Sequence, residues 1–145
     1  MFPLLFVEPG VKIDKKYYQD AILERELLPW IKRHYKNKPY VFTQDSAPAH
    51  LAKTTQEWCK VNLHSFVTVK EWPASSPDLN PMDYSVWSYL ESKACAKPHS
   101  SLAALKRSLV KEWAKIDTNY LCAVVDAFPD RLKAVIQAKG GRIEK

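Results

Sequence analysis

Residues 40–50 read YVFTQDSAPAH, and how this stretch is interpreted decides the fold. Tyr40 to Thr43 is short and rich in aromatic and β-branched residues, which predicts a strand ending at Gln44-Asp45. Asp45 then stands at a strand's carboxyl end, where the crevice of an α/β sheet opens. Pro48 stops further pairing, and the Asp45 side chain suits an Asx turn ahead of it. On the C-terminal side, Ala52 to Lys60 suits a helix and His64 to Val69 alternates like a second strand. On the N-terminal side, the apolar run Phe2 to Val7 ends at Pro9-Gly10 and reads as a third strand. Asp14 is a candidate cap for a helix starting near Lys15, with Tyr18, Ile22 and Leu23 on one face. Pro29 should break or restart that helix before Trp30 to Tyr35.

Further along, residues 71–81 read EWPASSPDLNP; three prolines forbid a regular element, while Trp72 and Leu79 are too apolar for a slack linker. A packed loop is expected. Beyond it the pattern is helical: Met82 to Cys95, closed by Pro98; Leu102, Leu105, Leu109, Trp113 and Ile116 at three-and-four spacing; a segment near Leu121 to Val125; and Pro129 to Lys139 before Gly140-Gly141. Strands interleaved with helices, then helices alone, predict an α/β fold with three strands and a helical C-terminal half.

Composition narrows the function classes. With 145 residues, 46% of them hydrophobic, one domain with one ordinary core is expected. The Phe2 to Val7 run is too short for a signal-peptide core and has no basic residue before it, so neither secretion nor a membrane span is expected. Cys59, Cys95 and Cys122 form no CxxC pair, and their odd number cannot close a disulfide framework; small buried side chains in a reducing compartment are the expectation. The net charge is +6, and its location is informative: residues 1–91 hold 11 basic and 11 acidic side chains, residues 92–145 hold 11 against 5. The surplus should attract a polyanion. Lys93, Lys97, Lys106, Arg107 and Lys111 recur on helices with apolar opposite faces and are the candidate DNA-phosphate contacts, a pattern that Lys115, Arg131, Lys133 and Lys139 continue.

Two acids stand at rigid points, Asp45 after a strand and Asp83 in the first turn of a helix. Hard divalent cations take oxygen ligands, and two bridged ions stabilise both the attacking and the leaving oxygen of a phosphodiester. Each acid also has an ordinary structural role open to it: Asp45 in its Asx turn, and Asp83 as the capping-box or dipole-offsetting residue of a helix begun by Asn80 and Pro81. His50, five residues after Asp45, could lie beside that site or serve only the turn.

The strings QDSAPAH and WPASSPDLNPMDYSVW resemble the two most recognisable blocks of the mariner-type transposases, and 37 residues separate Asp45 from Asp83, similar to one branch of that superfamily. PLLFVEPGVKIDKKYY, LLPWIKRHY, KTTQEWC, LESKACAKPH and FPDRLKAVIQAKGGRIE also look like family segments, so the likeness covers nearly the whole chain. It implies a partial ribonuclease H-like fold and a catalytic domain for DNA cleavage and strand transfer, with Mg2+ or Mn2+ held by an acidic triad. Asp45 and Asp83 would be the second and third acids, both catalytic and metal-binding, and the family motif carries a histidine where His50 stands. The first family acid lies upstream of the segment matched by PLLFV, as do further strands and helix-turn-helix DNA-binding modules. Glu8 and Asp14 do not stand where it belongs.

The expectation over residues 1–145 is therefore a partial transposase catalytic domain, inactive alone for want of that acid. The partner is DNA, with room for a homodimer, and the location is the nucleus. The alternative is a domesticated DNA-binding or assembly module without catalysis.

Overall fold

The computed structural model describes Met1–Gly141 and Ile143, and the chain divides into two compact units, Met1–Ser75 and Ser76–Lys145. In the first unit Asp14 caps α1 (Lys15–Tyr17), its Oδ1 accepting the Tyr17 N–H at 2.8 Å, as its position before a helical pattern predicts. The helix widens over Tyr18–Leu27 into π-helical turns and returns to α-geometry in α2 (Leu28–Tyr35). The Leu28 N–H bonds the Leu23 carbonyl, five residues back, and the next residue, Pro29, has no N–H to offer. Pro29 thus marks a change of hydrogen-bond register near the start of α2, where proline is tolerated. Two helices follow, α3 (Pro48–Leu51) and α4 (Lys53–Asn62).

The expected α/β architecture is not formed. Among the described residues there is no strand; Phe42 and Phe66 make a single parallel bridge, with Phe42 N–H to Ser65 O and Val67 N–H to Phe42 O both at 2.9 Å. Phe2 to Val7, Tyr40 to Thr43 and His64 to Val69 therefore do not make the three strands of a sheet. The composition of these segments favours extended backbone, but a strand also needs a neighbour that continues the ladder, and here pairing stops after one bridge.

The first core gathers Tyr18, Leu23, Ile31, Ala49, Cys59 and Leu63, with Phe42, Trp58 and Phe66 packed against it. Leu23 and Cys59 are fully buried. Burial of a leucine contributes roughly 1.5–3 kcal/mol, so Leu23 anchors the π-helical stretch. Thr55, also fully buried, donates to the Ala49 carbonyl at 2.7 Å and fixes α4 against α3.

The second unit is helical throughout its described part. A short 3-10 turn (Pro77–Leu79) lies within the proline-rich loop and buries Leu79, which confirms a packed loop there. A π-helical turn (Met82–Val86) then leads into α5 (Trp87–Ala94), followed by α6 (Leu102–Trp113), α7 (Thr118–Asp126) and α8 (Phe128–Gln137). Ser101 caps α6 through the Ala104 N–H. After α8, Gly140 takes φ +82° and its N–H returns to the Val135 carbonyl, the glycine-assisted ending that the sequence predicts. Val86, Ile116 and Val124 form the second core with Tyr84, Tyr89, Trp113 and Tyr120 around them. Burial as small apolar side chains holds for Cys59 alone, since Cys95 and Cys122 are exposed. Among the described residues no helix is long and apolar enough to cross a membrane.

Candidate functional site

Asp45 follows the bridged segment directly. Its Oδ1 accepts the Ala47 N–H at 3.0 Å, the expected Asx turn, and lies 2.6 Å from His50 Nδ1, so the imidazole carries its proton on that nitrogen. His50 is therefore held against the acid, a contact that either of the two roles open to its sequence position would make. Its ring lies 4.3 Å from the Tyr18 ring, and its carbonyl accepts from Gln56. The buried Tyr18 hydroxyl donates to Gln44 Oε1 at 2.9 Å, while Gln44 Nε2 is buried with no partner among the described residues. Burial chiefly, then the nearby Cys59 and Asp45, raise the Tyr18 phenol well above its ordinary value and keep it a donor. Sequence reading placed Tyr18 only on an apolar face and passed over Gln44. The missed signal was alternation: in extended backbone Gln44 points away from Asp45, toward the side of Phe42 and the core, where an amide needs a partner.

Asp83 is supported differently. The Asn80 side chain accepts the Met82 N–H at 3.1 Å, and the Asn80 carbonyl accepts the N–H groups of Asp83 and Tyr84, each at 2.9 Å. The Asp83 carboxylate is exposed and has no hydrogen-bond partner among the described residues, so the capping-box role is not realised. Beneath it, the Tyr84 hydroxyl donates to the Val124 carbonyl at 2.5 Å, and the Arg131 guanidinium sits 3.9 Å from the Tyr84 ring centre. Arg131 also donates to the Asp78 carbonyl at 3.1 Å, tying α8 to the 3-10 turn and to the turn that carries Asp83. Burial raises the Tyr84 phenol, an effect that Arg131 partly offsets.

As cation ligands, both residues offer exposed carboxylate oxygen, the donor that Mg2+ and Mn2+ prefer, and Asp83 offers both of its oxygens. The donor chemistry fits a divalent cation. Asp45 belongs to the first unit and Asp83 to the second, and within the described residues no group of three or more His, Cys, Asp or Glu is arranged to hold a metal. Asp14 is committed to its helix cap, and Glu8 is exposed.

The basic candidates sort by partner. Lys93 lies over the Tyr89 ring at 5.6 Å; Lys97, Arg107 and Lys111 are exposed, and Lys106 is half-buried. Lys115 and Lys133 pair instead with Glu112 and Asp130, lowering the pKa of each acid, and Arg131 is used inside the unit.

Residues 12–106 match the family model described as DDE superfamily endonuclease. The chain belongs to this family. Among its relatives, the Tc3 transposase of Caenorhabditis elegans is 34% identical over 134 residues, covering 91% of this chain and 39% of that protein. The Tcb2 transposase of Caenorhabditis briggsae is 32% identical over 128 residues, covering 88% and 45%. The chain thus spans less than half the length of these curated relatives. The crystal structure of the Mos1 mariner transposase catalytic domain is similar in fold, with a TM-score of 0.80 at 21% identity over 95% of this chain and 68% of that one. Mos1 transposase structures with Mn, with Mg and in a paired-end complex with the left transposon end are also similar.

Proposed function

We propose that this chain is part of a transposase catalytic domain in which Asp45 and Asp83 are the second and third metal-binding acids. The observation that carries the reading is the family match, which spans both acids in their blocks. Support comes from the cations in the Mos1 structures and from the oxygen donors that both residues expose here. A bound Mg2+ or Mn2+ would stabilise charge on the attacking and leaving oxygens of a phosphodiester. His50 orients Asp45 through its Nδ1 contact, and Tyr18 backs the imidazole. Arg131 and Tyr84 fix the turn beneath Asp83.

DNA is the proposed partner, supported by the transposon-end complex of Mos1 and by the basic surplus of residues 92–145. Lys93, Lys97, Lys106, Arg107 and Lys111 are the proposed phosphate contacts in the second unit. A homodimer and a nuclear location go with this reading. By the family resemblance the first acid precedes Phe2, so these 145 residues alone bind DNA without completing cleavage. The test is supercoiled-plasmid nicking with Mg2+ or Mn2+ beside manganese binding followed by electron paramagnetic resonance. Manganese binding lost in both Asp45→Asn and Asp83→Asn, with no nicking by the unmodified chain, is expected. Nicking that both substitutions abolish would show a third ligand within the chain; manganese binding indifferent to both would remove the metal site.

A further inference from the structure

Within the first unit, whose formal charges balance, the structure brings three lysines to one place. Lys32, Lys36 and Lys38 line a cavity of about 390 Å³ together with Tyr40, Asn62 and His64, and no carboxylate lines it. Other lysines of the chain stand beside an acid one turn away: Lys16 with Asp20, Lys53 with Glu57, Lys115 with Glu112 and Lys133 with Asp130. None of the three cavity lysines has such an acid among the described residues. The C-terminal dipole of α2 accounts for Lys32 in its last turn and for Lys36 at its C-cap, but that effect fades beyond the helix end and leaves Lys38 unexplained. The three exposed ammonium groups, with no carboxylate in the lining, make a local positive field that favours an anion.

The neutral groups fit the same ligand. The Tyr40 hydroxyl oxygen accepts the His64 N–H at 3.1 Å, which leaves its own hydrogen to donate outward. His64 is exposed, with its ring 5.8 Å from the Tyr40 ring. Three point-charge ammonium groups, a phenol donor and an imidazole around an open hollow suit the non-bridging oxygens of consecutive phosphodiesters. The site shares no residue with the Tyr18–Gln44–Asp45–His50 cluster.

We propose that this pocket is a second DNA-backbone site, reading phosphates and not sequence. The proposal rests on the DNA reading of the chain given above. The test measures binding of a short duplex of arbitrary sequence at several salt concentrations to three proteins: the full chain, the triple variant Lys32→Gln, Lys36→Gln, Lys38→Gln, and a charge-matched control, Lys16→Gln, Lys53→Gln, Lys133→Gln, whose lysines pair with acids. Circular dichroism checks that each is folded, and NMR follows the Tyr40 and His64 rings. With all three lysines on phosphates, the slope of log affinity against log salt falls by about 2.7 in the triple variant, roughly eightfold per contact for each tenfold dilution of salt. The control changes far less, and both rings shift on adding duplex but not on adding the same concentration of inorganic phosphate. Equal losses in the two variants, or duplex binding that leaves both rings unmoved, would overturn the pocket while sparing the DNA reading. Equal ring shifts with inorganic phosphate would reduce it to a simple anion site. Absence of duplex binding by the full chain would sink both readings together.

Discussion

The two units fix their acids in opposite ways. In Met1–Ser75 the Asp45 carboxylate itself is held, by a backbone N–H and by His50, on a turn whose supporting segment has a single bridge. In Ser76–Lys145 the Asp83 carboxylate has no hydrogen-bond partner among the described residues, but the backbone beneath it is clamped through Asn80, Tyr84 and Arg131. A ligand can be placed by gripping its oxygens or by gripping the chain that carries it. The first leaves less of the carboxylate for a cation; the second leaves all of it.

Four measurements test this contrast, the largest effect first. Leu23→Ala in the first core and Leu90→Ala in α5 of the second unit each remove a leucine no more than 1% exposed, and each should cost about 2–5 kcal/mol in denaturant unfolding. A much smaller cost at Leu23 would mean that the π-helical stretch is not what supports the first unit.

The second measurement is pH dependence. Burial pushes the Cys59 thiol up to about 11 from an ordinary 9.0, so the unfolded chain gives up this proton first as pH rises. Stability should fall between pH 9 and about 11, by roughly 3 kcal/mol, and level off above. Chemical denaturation at pH 8 and pH 10 measures it, with Cys59→Ala as the variant that should flatten the change. The exposed Cys95 and Cys122 should react with a thiol reagent in the folded chain while Cys59 does not.

Third, Arg131→Ala should cost about 1–2 kcal/mol, from the lost ring contact and the lost bond to the Asp78 carbonyl, and should speed amide exchange at Asp83 and Tyr84. Arg131→Lys should recover only part, because an ammonium cannot lie flat on the ring and reach the carbonyl as the guanidinium does. Unchanged exchange at Asp83 would break the idea that its backbone is clamped.

The smallest effect comes from a matched pair. Tyr18→Phe and Tyr84→Phe each delete one phenol hydrogen bond, to Gln44 and to the Val124 carbonyl, and each should cost about 1 kcal/mol by thermal or denaturant unfolding. A clearly larger loss at Tyr18 would show the carboxylate-gripping side to be the more cooperative network.

Local chemistry made much of this legible before the structure. Asp14 and the Gly140 ending bound helices because a cap or a positive φ needs only neighbouring residues. The Asx turn at Asp45 was readable for the same reason. The strands were not, because Tyr40 to Thr43 carries the composition of a strand but pairing depends on segments far away in sequence, and among the described residues only Phe66 answers it. Arg131 reads from sequence as one more candidate phosphate contact because nothing near it in the chain announces Tyr84 or the Asp78 carbonyl. The basic pocket escaped notice because the charge of its region was averaged away: Lys32, Lys36 and Lys38 are balanced in the count by acids that do not line it.

The lone amide nitrogen of Gln44 has a consequence for the folding landscape. Turning the side-chain amide over would let the Tyr18 hydroxyl accept from nitrogen, but the oxygen would then be the atom left alone. Neither orientation of the amide pairs both of its ends with Tyr18, so among the described residues the side chain immediately before Asp45 is locally frustrated, by roughly the 1–3 kcal/mol of a buried unpaired polar group. Natural sequences lose such conflicts unless something else maintains them. Removing both partners together, Tyr18→Phe with Gln44→Met, should therefore leave the chain more stable than Tyr18→Phe alone, and whatever cation binding is lost in exchange would measure what the frustration maintains.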